Sequence, residues 1–166
     1  MDVTRLILPH FRANKHGGVI NVSSGAGFWS LPMSSMYSAS KFALEGFTES
    51  LSYELASQNI FVKSVVPHGG VTSTDFVNRF SASTPTDKSL TSYNDFMAGI
   101  GASFRKMIAG AGVSSRDVAQ TIYEAATDGS RQLRYFVGND TRGFLKARYE
   151  TSSDEEYMKW MRSYFD

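Results

Sequence analysis

The sequence predicts an α/β fold, a parallel sheet with helices on both faces. Three observations point there. Two compact runs, residues 19–22 and 60–66, are rich in Val and Ile and read as buried strands. Between them, residues 35–57 hold no Pro and a single Gly, and Ala43, Phe47, Leu51 and Leu55 recur at i, i+4 along one helix face. A second helical pattern then leads into a third short run at 133–137. Strands joined through helices lie parallel, with the helices packed on either side of the sheet.

Each element has its own signal. Val3, Leu6, Ile7 and Phe11 repeat at near-helical spacing, so residues 2–15 form a short amphipathic helix that His16-Gly17-Gly18 ends. The first strand stops at the small-residue turn Ser23-Ser24-Gly25-Ala26-Gly27, and Asn59 closes the long helix. Pro67-His68-Gly69-Gly70 halts the second strand. Residues 73–112 differ in character. Ser and Thr crowd 81–92, with Phe76, Phe80, Tyr93, Phe96, Met97, Phe104 and Met107 scattered through the segment. Gly99, Gly101, Gly110 and Gly112 argue against long regular helix, so the segment reads as a mobile, lid-like insertion with short helices. Its aromatics serve either a lid over an apolar substrate or the core. Regular structure resumes at Ser115, a helix cap before Val118, Ile122 and Ala126, and Asp128-Gly129 stops that helix. Ser153 with Glu156 resembles a capping box for a last helix at 153–165, with Tyr157, Trp160, Met161 and Tyr164 on one side. No linker divides the 166 residues, which read as a single unit.

Composition excludes several function classes. Seventeen basic and 16 acidic side chains are interspersed, leaving a net charge of +1 and no footprint for nucleic acid or an anionic membrane. Without cysteine there is no disulfide, thiolate catalysis or Cys-ligated zinc. His10, His16 and His68 lack metal-ligand spacing, so no metal is expected. The apolar run Leu6-Ile7-Leu8 is too short for a signal peptide or a membrane span, and a cytoplasmic location is expected.

In such sheets, functional groups gather beyond the carboxyl ends of the strands. The long helix opens with Tyr37-Ser38-Ala39-Ser40-Lys41, placing Tyr37 and Lys41 one turn apart on one face. A free phenol is a poor proton shuttle at neutral pH, and a neighbouring ammonium favours its ionised form. Tyr37 is thus the candidate general acid/base. Ser24, thirteen residues earlier at a strand end, is placed to hydrogen-bond a substrate carbonyl.

Ser24, the thirteen-residue step and Tyr37-x-x-x-Lys41 resemble the catalytic pattern of classical short-chain dehydrogenase/reductases. So do the flanking strings I-N-V-S-S-G-A-G and Y-S-A-S-K-F-A-L-E-G-F. The likeness covers residues 1 to about 140. It implies a partial Rossmann-like doubly wound sheet and an NAD(P)-dependent oxidoreductase that interconverts an alcohol and a carbonyl. By resemblance, Tyr37 exchanges a proton with the substrate oxygen, Ser24 stabilises that oxygen, and Lys41 holds the nicotinamide ribose and eases ionisation of Tyr37. The stretch from Pro67 to Thr74 resembles the family's P-G-x-V-x-T segment, making Pro67, Gly69, Gly70 and Val71 cofactor-binding candidates. Two extra residues leave Ser73 and Thr74 competing for the Thr role. The cofactor is NAD or NADP, undistinguished, and the resemblance implies a homo-oligomer paired through helix 35–57.

Blander readings stand beside these. Tyr37 is otherwise a half-buried aromatic at a helix start, Ser24 a turn cap, and Gly69-Gly70 a simple reversal of the chain. His68 reads as a loop residue, and Asn139-Asp140 as a turn. Ser38-x-x-Lys41 lacks the companion motifs of penicillin-recognising enzymes, and Val22 stands where a nucleophile elbow needs Gly, so acyl transfer is not expected.

The sequence holds no T-G-x-x-x-G-x-G turn to meet a pyrophosphate, no N-A-G segment, and no residue choosing between a 2′-hydroxyl and a 2′-phosphate. The family places about three βα units, roughly 100 residues, ahead of this point. The chain is therefore expected to be the catalytic portion of a longer protein, with Met1 internal and the flank of its first strand uncovered. The rival expectation is a non-catalytic fragment or interaction module that does not bind cofactor alone.

Overall fold

The computed structural model describes all residues except 84–86, 88, 109–111, 141–142 and 166, and gives the backbone alone for residues 77, 81, 83 and 106–108. Strands β1 (Gly17–Val22), β2 (Ile60–Pro67) and β5 (Arg134–Val137) form a parallel sheet with β2 in the centre. Val19 lies opposite Val62, and Val65 opposite Tyr135. Alternation along β2 sends its two sets of side chains to opposite faces. On one face Val19, Ile60 and Val62 pack against Leu51 and Leu55 of α2 (Ser35–Leu55), with Leu8 and Phe11 of α1 (Asp2–Asn14) beside them. On the other, Ile20, Val65, Tyr135 and Val137 meet Val118, Ile122 and Ala125 of α5 (Ser115–Thr127). Both faces are therefore covered by helices. Val65 and Val66 are fully buried, each worth about 1.5–3 kcal/mol relative to exposure.

Several boundaries differ from expectation for identifiable reasons. Lys15, in the left-handed conformation, stops α1, and Gly17 already belongs to β1. Asn59 is left-handed too, and its side-chain amide donates to the Lys15 carbonyl at 3.1 Å, tying the two chain reversals together. The cap of α5 is Ser114, not Ser115. The Ser114 hydroxyl accepts from the Asp117 amide, and the Asp117 carboxylate accepts from the Ser114 amide. Ser153 caps α7 (Asp154–Arg162) by accepting from the Glu156 amide, while Glu156 reaches back to the amide of Ser152 rather than that of Ser153.

The buried stripe of α2 is more polar than its apolar repeat suggests. Ser38, Glu45 and Thr48 are buried with Leu51 and Leu55, whereas Ala43 faces outward. Thr48 accepts from the Asn21 side-chain amide at 2.8 Å and donates to the Leu44 carbonyl, so a hydrogen-bonded pair sits between helix and strand.

The insertion is more regular than its composition implied. It contains α3 (Phe76–Ser83) and the fifteen-residue α4 (Asn94–Ile108), which runs straight through Gly99 and Gly101. A helical Gly costs about 1 kcal/mol relative to Ala, too little to break a helix that buries Ile100 and sets Phe104 against Phe165. The Met107 side chain and Gly110 lie outside the described residues. The two ends of the insertion are clamped by a parallel bridge between β3 (Val71–Thr72) and β4 (Val113–Ser114). Helix α6 (Phe144–Glu150) was not anticipated. With α7 it buries Phe144, Ala147, Tyr157 and Met161 against Phe28, Trp29 and Val66.

Candidate active site

Parallel strands bring their carboxyl ends to one side of the sheet, and the ladder continues past the strands themselves. The Ser23 amide donates to the Val65 carbonyl at 2.8 Å, and the His68 amide to the Val137 carbonyl at 3.0 Å. Ser23-Ser24 and the Pro67–Gly70 reversal are thereby held side by side.

Ser24 is extended and half-buried. Its hydroxyl oxygen accepts from the Ala26 amide at 3.2 Å, capping a single 3₁₀ turn at Gly25–Gly27. That bond uses a lone pair and leaves the hydroxyl hydrogen able to donate. The turn packs directly on α2. A Cβ at Gly27 would lie 3.1 Å from the Lys41 carbonyl oxygen and 2.9 Å from Cγ of Glu45, so only glycine allows this approach.

Tyr37 sits half-buried in the first turns of α2, its ring 5.8 Å from the rings of Phe76 and Phe80 on α3. One turn on, Lys41 Nζ lies 5.8 Å from the centre of the Tyr37 ring and donates to the Val22 carbonyl at 3.2 Å. Partial burial lowers the Lys41 pKa, and the carboxylate of Glu45 opposes that shift. Tyr37 and Lys41 are therefore brought together directly. Ser24 joins them through the backbone, standing two residues beyond the carbonyl that Lys41 grips.

Behind the site lies an ionic cluster that sequence reasoning missed. Glu45, 5% exposed, accepts from the Ser64 hydroxyl at 2.6 Å and from Arg134 Nε at 2.9 Å. Arg134 also pairs with Glu49 and lies 5.5 Å over the Phe28 ring. The one available signal was Glu45 itself, a carboxylate one turn after Lys41 on the same face.

The second predicted segment is more structured than a free loop. Pro67 ends β2, and Gly69 and Gly70 have φ of 90° and 93°, a region that favours glycine. The Gly70 carbonyl accepts from the Val113 amide at 2.8 Å, and Val71 packs on the core beneath α5. Ser73 is left-handed and exposed, while the exposed Thr74 donates its hydroxyl to the Val71 carbonyl at 3.1 Å. His68 lies in the loop after β2, as expected, but it is buried there. It is 6% exposed, with its ring edge-on to Trp29 and Phe136. Asp140 leads into α6, its carboxylate accepting from the Lys146 amide at 3.0 Å.

The description "short chain dehydrogenase" belongs to the family model that matches residues 1–84. An uncharacterized oxidoreductase of Schizosaccharomyces pombe is 32% identical over 139 residues, which cover 84% of this chain and 56% of the yeast protein. The uncharacterized oxidoreductase YusZ of Bacillus subtilis is 37% identical over 144 residues, covering 83% of this chain and 49% of YusZ. Among solved structures, a short-chain dehydrogenase from Streptomyces avermitilis superposes with a TM-score of 0.67 at 27% identity, over 96% of this chain and 55% of that one. The chain thus spans about half the length of the relatives it matches. Its parallel sheet is the Rossmann-like sheet of these oxidoreductases, and the chain belongs to the short-chain dehydrogenase family.

Proposed function

We propose that this chain carries the proton-transfer site of an NAD(P)-dependent oxidoreductase that interconverts an alcohol and a carbonyl. The observation that carries the reading is the position of Lys41, whose ammonium spans from the Tyr37 ring to the carbonyl at the end of the strand bearing Ser24. With that cation one helical turn away, Tyr37 gives a proton to, or takes one from, the substrate oxygen. Ser24 donates its hydroxyl hydrogen to that oxygen and stabilises the charge that develops on it.

The cofactor, when bound, supplies or accepts the hydride. The residues present fit its nicotinamide end. Among the described residues, Ser23 Oγ is buried at the strand end with no hydrogen-bond partner, and a Cβ at Gly70 would meet nothing within 4 Å. Tyr37, Lys41, Pro67, Gly69, Gly70, Val71 and either Ser73 or Thr74 are the residues that would hold it. Support at the level of fold comes from 4-hydroxyisoleucine dehydrogenase, solved with NADH (TM-score 0.57, 22% identity). A short-chain dehydrogenase of Burkholderia cenocepacia, solved with NADP, is alike in the same sense (TM-score 0.59, 19% identity).

In this reading residues 73–112 are the lid over an apolar small-molecule substrate, with Phe76 and Phe80 already against Tyr37. The outward stripe of α2, which includes Met36, Ala39, Ala43, Gly46 and Tyr53, is the surface for a second copy in a homo-oligomer. The enzyme works in the cytoplasm. No helix among the described residues is long and apolar enough to cross a membrane.

A second reading has its own observation. Val3 and Leu6 of α1 are 81% and 76% exposed, and β1 pairs only with β2 among the described strands, as suits a module that docks on another surface. Titration of the 166-residue chain with NADH and NADPH separates the two, since saturable binding favours the enzyme and none favours the module. Turnover tests the mechanism. Tyr37→Phe in the active protein is expected to lower kcat by about a thousandfold or more with the fold intact, and near-normal turnover overturns the mechanism.

A further inference from the structure

A cavity of about 400 Å³ opens between residues 28–32, Phe42 of α2 and the two helices α6 and α7. Its volume is that of a small-molecule pocket. None of Ser24, Tyr37 or Lys41 lines it. The walls are apolar, with Phe28, Trp29, Leu31, Phe42, Tyr157 and Met161 facing the space. Two exposed arginines also line it, Arg148 from α6 and Arg162 from the end of α7. Arg148 lies 5.2 Å over the Tyr157 ring. Neither guanidinium has a carboxylate partner among the described residues. Two like charges beside an apolar hollow leave one unmet requirement, a negative group attached to something greasy.

We propose that this cavity binds an amphiphilic carboxylate, its aliphatic or aromatic body in the hollow and its anionic head on Arg148 and Arg162. The guanidinium fork matches a carboxylate in geometry as well as charge, and a hydrocarbon body displaces water from aromatic and thioether surface. A neutral lipid would leave both arginines unanswered, and a cationic one would be repelled. The site is independent of the proton-transfer reading, and its failure leaves that reading untouched.

Trp29 lines the cavity, and the sequence has only one other tryptophan, Trp160, so the Trp160→Phe chain reports on the pocket alone. That chain is titrated with sodium decanoate below its micelle concentration, with decanol and decylamine as matched controls. A saturable change in Trp29 emission is expected with decanoate, and much weaker responses with the alcohol and the amine. Arg148→Gln and Arg162→Gln, both at exposed positions, are each expected to weaken decanoate about tenfold and leave decanol unchanged. Tyr37→Phe is expected to bind decanoate like the parent. Equal binding of decanoate and decanol, indifference to both arginine substitutions, or no saturable response overturns the proposal. So does a dimer in sedimentation that Phe42→Lys dissociates while decanoate has no effect, since a second copy would then be the occupant.

Discussion

Arg134 on β5 and Glu45 on α2, 89 residues apart in sequence, meet as an ion pair with Nε 2.9 Å from Oε2. The carboxylate also takes the Ser64 hydroxyl, so one buried side chain joins the long helix to two strands. Removing the cation leaves that charge without its main partner. Arg134→Met is expected to cost about 3 kcal/mol in urea denaturation. Adding Glu45→Gln should restore much of the loss, because the remaining amide needs no counter-charge. Additive effects of the two substitutions would show that the pair does not act as a unit.

The close approach at Gly27 gives a second expectation. Gly27→Ala forces the Ser24 turn away from the Lys41 carbonyl, against backbone that cannot give way easily. A loss of about 1–3 kcal/mol is expected, together with a fall in kcat larger than any change in KM. A variant with parental stability and turnover would show that the turn has slack.

Lys41 gives a pH dependence with a definite sign. Burial lowers its folded-state pKa, so between that lowered value and the ordinary lysine range the unfolded chain binds more protons. Stability must then rise with pH across that alkaline window. Lys41→Met should remove this rise in thermal melts taken at successive pH values. It should also weaken nicotinamide binding and slow turnover by about a hundredfold. An unchanged alkaline slope would assign the rise to another group.

At Asp128 the sign is the same but the window is acidic, while its partner Lys63 has the opposite sign. Lys63, 3% exposed on β2, donates to Asp128 at 2.6 Å, to Tyr135 at 3.0 Å and to the Ala125 carbonyl at 2.8 Å. The bonds from Lys63 and Tyr135 hold the Asp128 carboxyl well below the usual carboxylate range. Burial disfavours the Lys63 ammonium, but its bonds to Asp128 and Tyr135 outweigh this and raise its pKa. The carboxylate's contribution is present above the ordinary Asp range and is lost as pH falls below it. The ammonium's is present below the ordinary lysine range and is lost as pH rises past it. Asp128→Asn should therefore destabilise the chain at neutral pH and flatten the acid limb of the stability profile. An acid limb as steep as the parent's would mean that other carboxylates dominate it.

What the sequence made legible was periodic or bounded by strong local chemistry. Strands 60–66 and 19–22 announce themselves through β-branched density, and the candidates Ser24, Tyr37 and Lys41 through their spacing and the strings around them. The rest depended on partners far along the chain. Nothing local marks Glu45 and Thr48, rather than Ala43, as the buried side of α2, because the groups that satisfy them come from Ser64, Arg134 and Asn21. Helix α4 survives two glycines through packing that no short window displays. Helix α6 is only seven residues long, too short for periodicity to be read, and its reason to exist is the Phe144 ring, 1% exposed among Trp29, Trp160 and Tyr164. His68 does lie in the loop that its following glycines announce, but nothing local showed that aromatic rings from Trp29 and Phe136 would meet it there.

The parallel bridge of Val71-Thr72 with Val113-Ser114 means that the chain leaves the main body and re-enters it at neighbouring points. The cost of closing a loop grows only slowly with its length. Away from the side chains that pack back on the body, such as Ile100, Phe76 and Phe80, what lies between those two anchors can lengthen or shorten without disturbing the strand ends next to Ser24 and Pro67. Selection acting on the segment would thus have a stretch to rewrite, constrained chiefly where Phe76 and Phe80 meet the Tyr37 ring.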